Sequence, residues 1–173
     1  MQLSGREERA ARGLYTADQR ARRDASPWTR VQAVLAPLQF LAFAVSLVLV
    51  LRYLVTDQGY HAATASILVK TALLYAIMIT GAIWEKQVFG QYLLAPAFFW
   101  EDVVSFVVIA LHGAYLWVLA TGALPPAGQM TLALLAYAAY AINATQFLLK
   151  LRAARHDATA GPAARAGPSE ARA

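Results

Sequence analysis

Four apolar blocks, each near the length a helix needs to cross a bilayer, decide most of what this chain can fold into. They run at about 31–55, 62–84, 103–121 and 130–149. A helix of about twenty residues spans the roughly 30 Å of hydrocarbon. A soluble bundle would need polar stripes wide enough to face water, and none of the blocks carries one. Charged residues make up 14% of the chain, against about 25% in a typical soluble domain, and most of them gather at the two ends. The pattern predicts an all-α integral membrane bundle of four transmembrane helices. Residues 1–30 read as an Arg-rich leading segment, 31–152 as the membrane domain, and 153–173 as a disordered tail rich in Ala, Gly, Pro and Arg. Within the leading segment, Thr16–Asp24 reads as a short surface helix capped by Thr16.

The net charge of +5 comes almost wholly from arginine in those ends. Basic chains often bind nucleic acid, but no basic groove with interleaved aromatics appears in a foldable segment, so no nucleic-acid partner is expected. Membrane topology accounts for the same charges, because Lys and Arg concentrate in cytoplasmic segments. The connections Thr56–His61 and Gly122–Gln129 contain neither, whereas Glu85–Glu101 holds Lys86 and both termini are basic. Both termini are therefore expected in the cytoplasm. Arg52, near the outer end of the first block, dissents and can snorkel to that interface. Trp28, Trp84, Tyr92 and Trp100 form an interfacial belt on the cytoplasmic side. The polar segment ahead of the first block argues against a cleavable signal peptide. The absence of cysteine excludes disulfides, thiolate metal sites and a cysteine nucleophile.

A polar side chain in hydrocarbon is costly unless it is paired, so each one within a span is a candidate for function. Gln32, Gln39, Ser46 and Tyr53 recur every seven residues in the first block, which aligns them in one stripe. Tyr140, Asn143, Gln146 and Lys150 share a face of the fourth. Both stripes read first as hydrogen-bonded glue between helices. Lys70 lies about 12 Å from the outer end of the second helix at 1.5 Å per residue. It could snorkel, pair with an acid or meet an anionic ligand. His112 falls near mid-membrane in the third block, on the same face as Glu101 and Ser105. It could ligate a metal in a bound cofactor, carry protons, or hydrogen-bond within the core.

The densest constellation lies between the second and third blocks. One helix ends Ile83-Trp84-Glu85-Lys86 and the next begins Phe99-Trp100-Glu101-Asp102, joined by an unusually aromatic connection. Glu101 and Asp102 could simply suit a helix start, where the dipole favours carboxylates. Glu85 sits at a helix end, where the dipole disfavours it. Held among aromatic side chains, such carboxyls lose solvation and repel one another, which favours the protonated form. A carboxylic acid kept protonated near neutral pH is what a general acid must be.

These runs resemble the 3-vinyl bacteriochlorophyllide hydratase family. The resemblance begins at Leu14-Tyr15-Thr16 and Gln19-Arg20-Ala21-Arg22-Arg23-Asp24, and continues through Trp28, Val34-Leu35-Ala36-Pro37, Gln39-Phe40-Leu41 and Leu51-Arg52-Tyr53-Leu54. It is strongest at Ala63-Thr64-Ala65-Ser66, Val69-Lys70-Thr71, Gly81-Ala82-Ile83-Trp84-Glu85-Lys86, Phe89-Gly90 and Ala95-Pro96-Ala97-Phe98-Phe99-Trp100-Glu101-Asp102-Val103. It resumes at Asn143 and at Gln146-Phe147-Leu148-Leu149-Lys150-Leu151-Arg152, so that it covers roughly residues 14–155.

The resemblance implies a lyase of bacteriochlorophyll synthesis in the inner membrane of a photosynthetic bacterium, whether cytoplasmic or intracytoplasmic. Its substrate would be chlorophyllide a or 3-vinyl bacteriochlorophyllide, hydrated at the 3-vinyl group to a 3-(1-hydroxyethyl) product. Such chemistry calls for a general acid, a positioned water and a base, with no redox cofactor. Glu85 and Glu101 are the expected acid/base pair, with Asp102 as the substitute for either. Trp84, Trp100, Phe98 and Phe99 would stack on the flat ring. Lys70 or Lys86 would pair with its propionate. Magnesium enters only as part of the substrate ring, where His112 or a water would meet it. Besides lipid and pigment, a second copy of the chain or a neighbouring pathway enzyme stays open as a partner.

Two other readings compete. A non-catalytic pigment carrier or assembly factor would use the same pocket with a structural acid cluster. A proton-coupled transporter would use Lys70 and His112, but the chain has no inverted repeat and no matching broken helices.

Overall fold

A computed structural model describes the chain from Leu14 to Thr159, with side chains through Ala153. Five helices are present among these residues: α1 Ala17–Ala25, α2 Pro27–Thr56, α3 Tyr60–Phe89, α4 Phe99–Thr121 and α5 Pro126–Thr159. The last four are the expected spans, each extended beyond its apolar block by local signals. Pro27 opens α2, where its missing N–H is not needed. Left-handed Gly90 closes α3 at a φ of 88°, and Gly122 closes α4 at 65°. Helix α5 continues through Thr159, where the sequence places its end near 149 and a tail from 153. The remainder of that tail, from 160, lies outside the described residues, as do residues 1–13. Thr16 caps α1 in a full capping box with Gln19, with Thr16 Oγ1 accepting from the Gln19 N–H and Gln19 Oε1 from the Thr16 N–H.

Short connections make sequential helices antiparallel neighbours. Helix α2 packs closely on α3, and α4 on α5, while α2 meets α5 and α3 meets α4 more lightly. The short α1 lies across the end of α3, where Ser26 Oγ bonds Gln87 Oε1 at 2.5 Å. One end of the bundle therefore gathers the start of α2, the end of α3, the start of α4 and the later turns of α5.

The exposure pattern is that of a protein solvated by lipid. Val34, Leu41, Val45, Val48 and Val55 on α2 face outward, the last 84% exposed, whereas Gln39, Ser46, Lys70, His112 and Asn143 are buried. Four helices are long and apolar enough to cross a membrane. Water would reject that outer surface, and hydrocarbon accepts it. Two of the polar residues in the α2 stripe act as interhelical glue. Gln32 Nε2 donates to Thr80 Oγ1 at 2.7 Å, and Ser46 Oγ lies 2.7 Å from Ser66 Oγ and 2.5 Å from the Tyr137 hydroxyl. Below them a core of Val50, Tyr53, Ile67, Tyr115, Met130 and Tyr137 closes the end opposite the acids.

Candidate active site

Beyond Gly90 the chain turns back over the bundle end, and Leu94 takes a left-handed conformation at a φ of 59°. That turn aims two backbone amides at two buried carboxyls. The Leu94 N–H donates to Asp102 Oδ2 at 2.6 Å, and the Ala95 N–H donates to Glu85 Oε2 at 3.3 Å. The carboxyls of Glu85 and Asp102 lie against each other. Two carboxyls brought together out of water are the arrangement that a general acid and its partner base require.

Glu101 stands apart from this pair. Its Oε2 accepts from the Lys150 ammonium, which also donates to the Ala97 carbonyl and lies 5.1 Å from the centre of the Phe98 ring. The expected partnership of Glu85 with Glu101 is thus not the one the fold makes. Adjacent residues on a helix point about 100° apart, so Glu101 faces α5 while Asp102 faces α3. Lys150, read from sequence only as a member of a polar stripe, is the counter-ion of the cluster. Its place seven residues beyond Asn143 on that stripe was the available signal.

The wall beside the carboxyls is aromatic. Phe98, 3% exposed, is its centre: its ring meets Trp84 at 5.7 Å and Phe89 at 5.8 Å edge-on, and stacks on Phe147 at 6.0 Å. Tyr15 folds in from the leading segment, stacked on Phe89 at 5.9 Å under the Arg23 guanidinium at 4.9 Å. Burial pushes the Tyr15 hydroxyl above its ordinary range, so it stays protonated and able to donate. Trp84 is held by its Nε1–H to Thr29 Oγ1 at 2.9 Å. Tyr15, Phe89 and Phe147 were not anticipated as wall residues.

Two expected ring-stacking residues lie elsewhere. Trp100 is 68% exposed and Phe99 41%, packed edge-on against each other at 5.4 Å on the lipid side. Trp100→Ala is therefore expected to leave turnover unchanged and stability within about 0.5 kcal/mol. A large rise in KM for pigment, measured in nanodiscs, would return Trp100 to the site. Lys86 also turns away, donating to the Gly90 carbonyl at 2.8 Å to cap its own helix.

Lys70 and His112 meet in the middle of the bundle, both fully buried. Lys70 Nζ is 3.0 Å from His112 Nε2 and 4.1 Å from the centre of the Tyr140 ring, while His112 Nδ1 bonds the Val108 carbonyl at 2.8 Å. Both ring nitrogens of His112 are engaged, so it can meet a magnesium only if Lys70 withdraws. Eleven residues of α4 separate His112 from Glu101, about 16 Å at 1.5 Å per residue. The two polar centres are distinct.

A family model described as 2-vinyl bacteriochlorophyllide hydratase (BCHF) matches residues 15–153. A protein of Rhodobacter capsulatus named 2-vinyl bacteriochlorophyllide hydratase is 72% identical over 144 residues, 83% of this chain and 84% of its own. One of the same name from Cereibacter sphaeroides is 72% identical over 146 residues, 84% of this chain and 91% of its own. No solved structure matches. The match takes in α1, the four spans and every residue of the acid cluster, and differs from the resemblance drawn from sequence only in how the vinyl position is numbered. The chain belongs to the 2-vinyl bacteriochlorophyllide hydratase family.

Proposed function

We propose that this chain adds water across the 3-vinyl group of a chlorophyllide-type ring, with Glu85 as general acid and Asp102 as general base. The observation that carries this assignment is the contact of their two buried carboxyls beside the Phe98 wall. The Asp102 carboxyl accepts the shorter amide bond, 2.6 Å against 3.3 Å, which favours charge on Asp102 and the proton on Glu85. Glu85 gives its proton to the terminal vinyl carbon. The cation left on the inner carbon is conjugated with the macrocycle. Water attacks that carbon and loses a proton to Asp102, leaving a 1-hydroxyethyl group. The proton then returns to Glu85 through the carboxyl contact, so one proton enters the product for each one taken from water. This chemistry is redox-neutral and calls for no cofactor of the protein's own. Magnesium comes with the substrate.

The Trp84, Phe89, Phe98 and Phe147 wall supports stacking of a flat ring. The carboxyls are 3% to 6% exposed, so ring entry requires the connection 90–98 or the Leu14–Tyr15 strap to move. The Lys/Arg distribution supports both ends facing the cytoplasm, and membership of a bacteriochlorophyllide hydratase family supports a bacterial inner membrane as the location. The test is incubation of 3-vinyl chlorophyllide with membranes containing the chain in oxygen-18 water. Product heavier by one labelled water, formed without added cofactor, is the expected result. Unchanged pigment from folded protein that binds it would make the chain a carrier.

A further inference from the structure

Between the glue layer of Gln32 with Thr80 and that of Ser46 with Ser66 and Tyr137, several buried amide atoms have no partner. Gln39, seven residues from each glue residue on the same stripe, is 2% exposed, and neither its Nε2 nor its Oε1 has a hydrogen-bond partner among the described residues. Phe43, one turn further along that face, packs on the Tyr140 ring at 4.9 Å, which sets Gln39 beside the Tyr140–Asn143 turn of α5. Asn143 donates to Ser105 Oγ at 2.7 Å, yet its Oδ1 is unpartnered, as is Gln146 Oε1 one turn on. Ser105 Oγ donates in turn to the Glu101 carbonyl at 2.8 Å. Thr64 Oγ1 and the Tyr115 hydroxyl are also buried without a partner, but they lie toward the opposite end. The other unpartnered atoms, on Gln39, Asn143 and the half-buried Gln146, lie on α2 and α5 along the stretch of bundle between Lys70–His112 and the Glu101–Lys150 pair.

Buried amides are almost always satisfied, by protein or by ordered water. A glutamine that bonds no helix does no gluing, so the glue reading accounts for Gln32 and leaves Gln39 unexplained. We infer that Gln39, Asn143 and Gln146 bind a file of water molecules through the bundle, which supplies the water that the reaction consumes. The inference rests on the hydratase reading for its purpose and on the orphaned amides for its existence. From Asn143 to Lys150 the rise along α5 is about 10 Å at 1.5 Å per residue. Three or four hydrogen-bonded waters at about 2.8 Å span that distance. Each water needs two to four polar partners, and the free amide atoms, the Ser105 hydroxyl and the Lys70 ammonium provide them. The acids sit behind an aromatic wall, and a ring stacked there would shut out water from the same side. Waters already held inside the bundle stay at hand while the ring is stacked, and are replaced when it leaves.

Radiolytic hydroxyl-radical labelling of the full-length protein in oxygen-18 water tests the file, because internal waters generate radicals beside otherwise inaccessible side chains. Tyr140 and His112 are expected to take up labelled oxygen despite their burial. Gln39→Leu is expected to lower that labelling and turnover several-fold each, with pigment affinity unchanged. Wild-type Tyr140 and His112 that stay unlabelled would overturn the file, whether or not the Leu variant folds. So would Gln39→Leu and Asn143→Leu variants with full turnover. Labelling needs no catalysis, so its outcome is separable from that of the hydratase reading. Oxygen-18 in the product with no label on Tyr140 or His112 would remove the file and keep the reaction.

Discussion

Glu85→Gln is expected to lower turnover by roughly 10²–10⁴-fold, the range of a general acid, while the protein still folds and binds pigment. The amide is isosteric and its oxygen can still accept from the Ala95 N–H, which bonds Glu85 Oε2 at 3.3 Å. Its NH₂ can donate to Asp102, so the local geometry has every reason to persist. What it lacks is a proton acidic enough to give to a vinyl carbon. Asp102→Asn should fall by a similar factor, because water attack then has no base and the shared proton has no return path. The two single losses should not multiply in the double variant, since the residues act as one unit. Single-turnover conversion followed by mass spectrometry in nanodiscs, with pigment binding measured in parallel, reads both terms. Full activity in Glu85→Gln and in Asp102→Asn would remove the carboxylate mechanism.

The second large effect concerns stability. Lys150→Met deletes the counter-ion of Glu101 and the donor to the Ala97 carbonyl, at a carboxylate whose side chain is 7% exposed. Stripping one partner from a buried ion pair costs about 3–5 kcal/mol, because the other charge stays behind unpaired. With the Lys150 side chain 25% exposed, the lower end, about 3 kcal/mol, is the expected loss. Adding Glu101→Gln to that variant should recover much of it, since the uncompensated charge is then gone. Turnover should not recover with it. Lys150 also holds Ala97, the residue before Phe98, so the aromatic wall loosens even where the charge is neutral. Reversible unfolding in detergent for both variants decides the matter. A loss below about 1 kcal/mol in the single variant, typical of solvent-exposed pairs, would show the pair to be screened at the interface.

How much of this could be read before the fold was known follows the physics of each feature. The four spans were legible because hydrocarbon imposes a length on any helix that crosses it, and short connections then fix antiparallel neighbours. The Thr16 cap and the glue roles of Gln32 and Ser46 followed equally from local pattern. Periodicity also set Gln39 and Asn143 on polar stripes and His112 on one face with Glu101, while Lys70 was left free to snorkel outward or to find a partner inside. Acidic residues clustered at one end were visible as well.

Partnership was not legible. Sequence neighbours Glu101 and Asp102 look interchangeable in a string, but a rotation of about 100° per residue sends one to Lys150 and the other to Glu85. The way each helix is turned in the bundle likewise puts Trp84 inside, bonded to Thr29, and Trp100 out among lipid, although both stand next to a glutamate. Lys70 and His112 lie 42 residues apart, and only the packing of α3 beside α4 brings Nζ to 3.0 Å from Nε2. Hydrophobic length and period, which act within one segment, determined that this chain is a four-span bundle with polar residues inside. Tertiary packing decided which carboxyls come together, because it sets the rotation of each helix about its own axis, and no single segment encodes that angle.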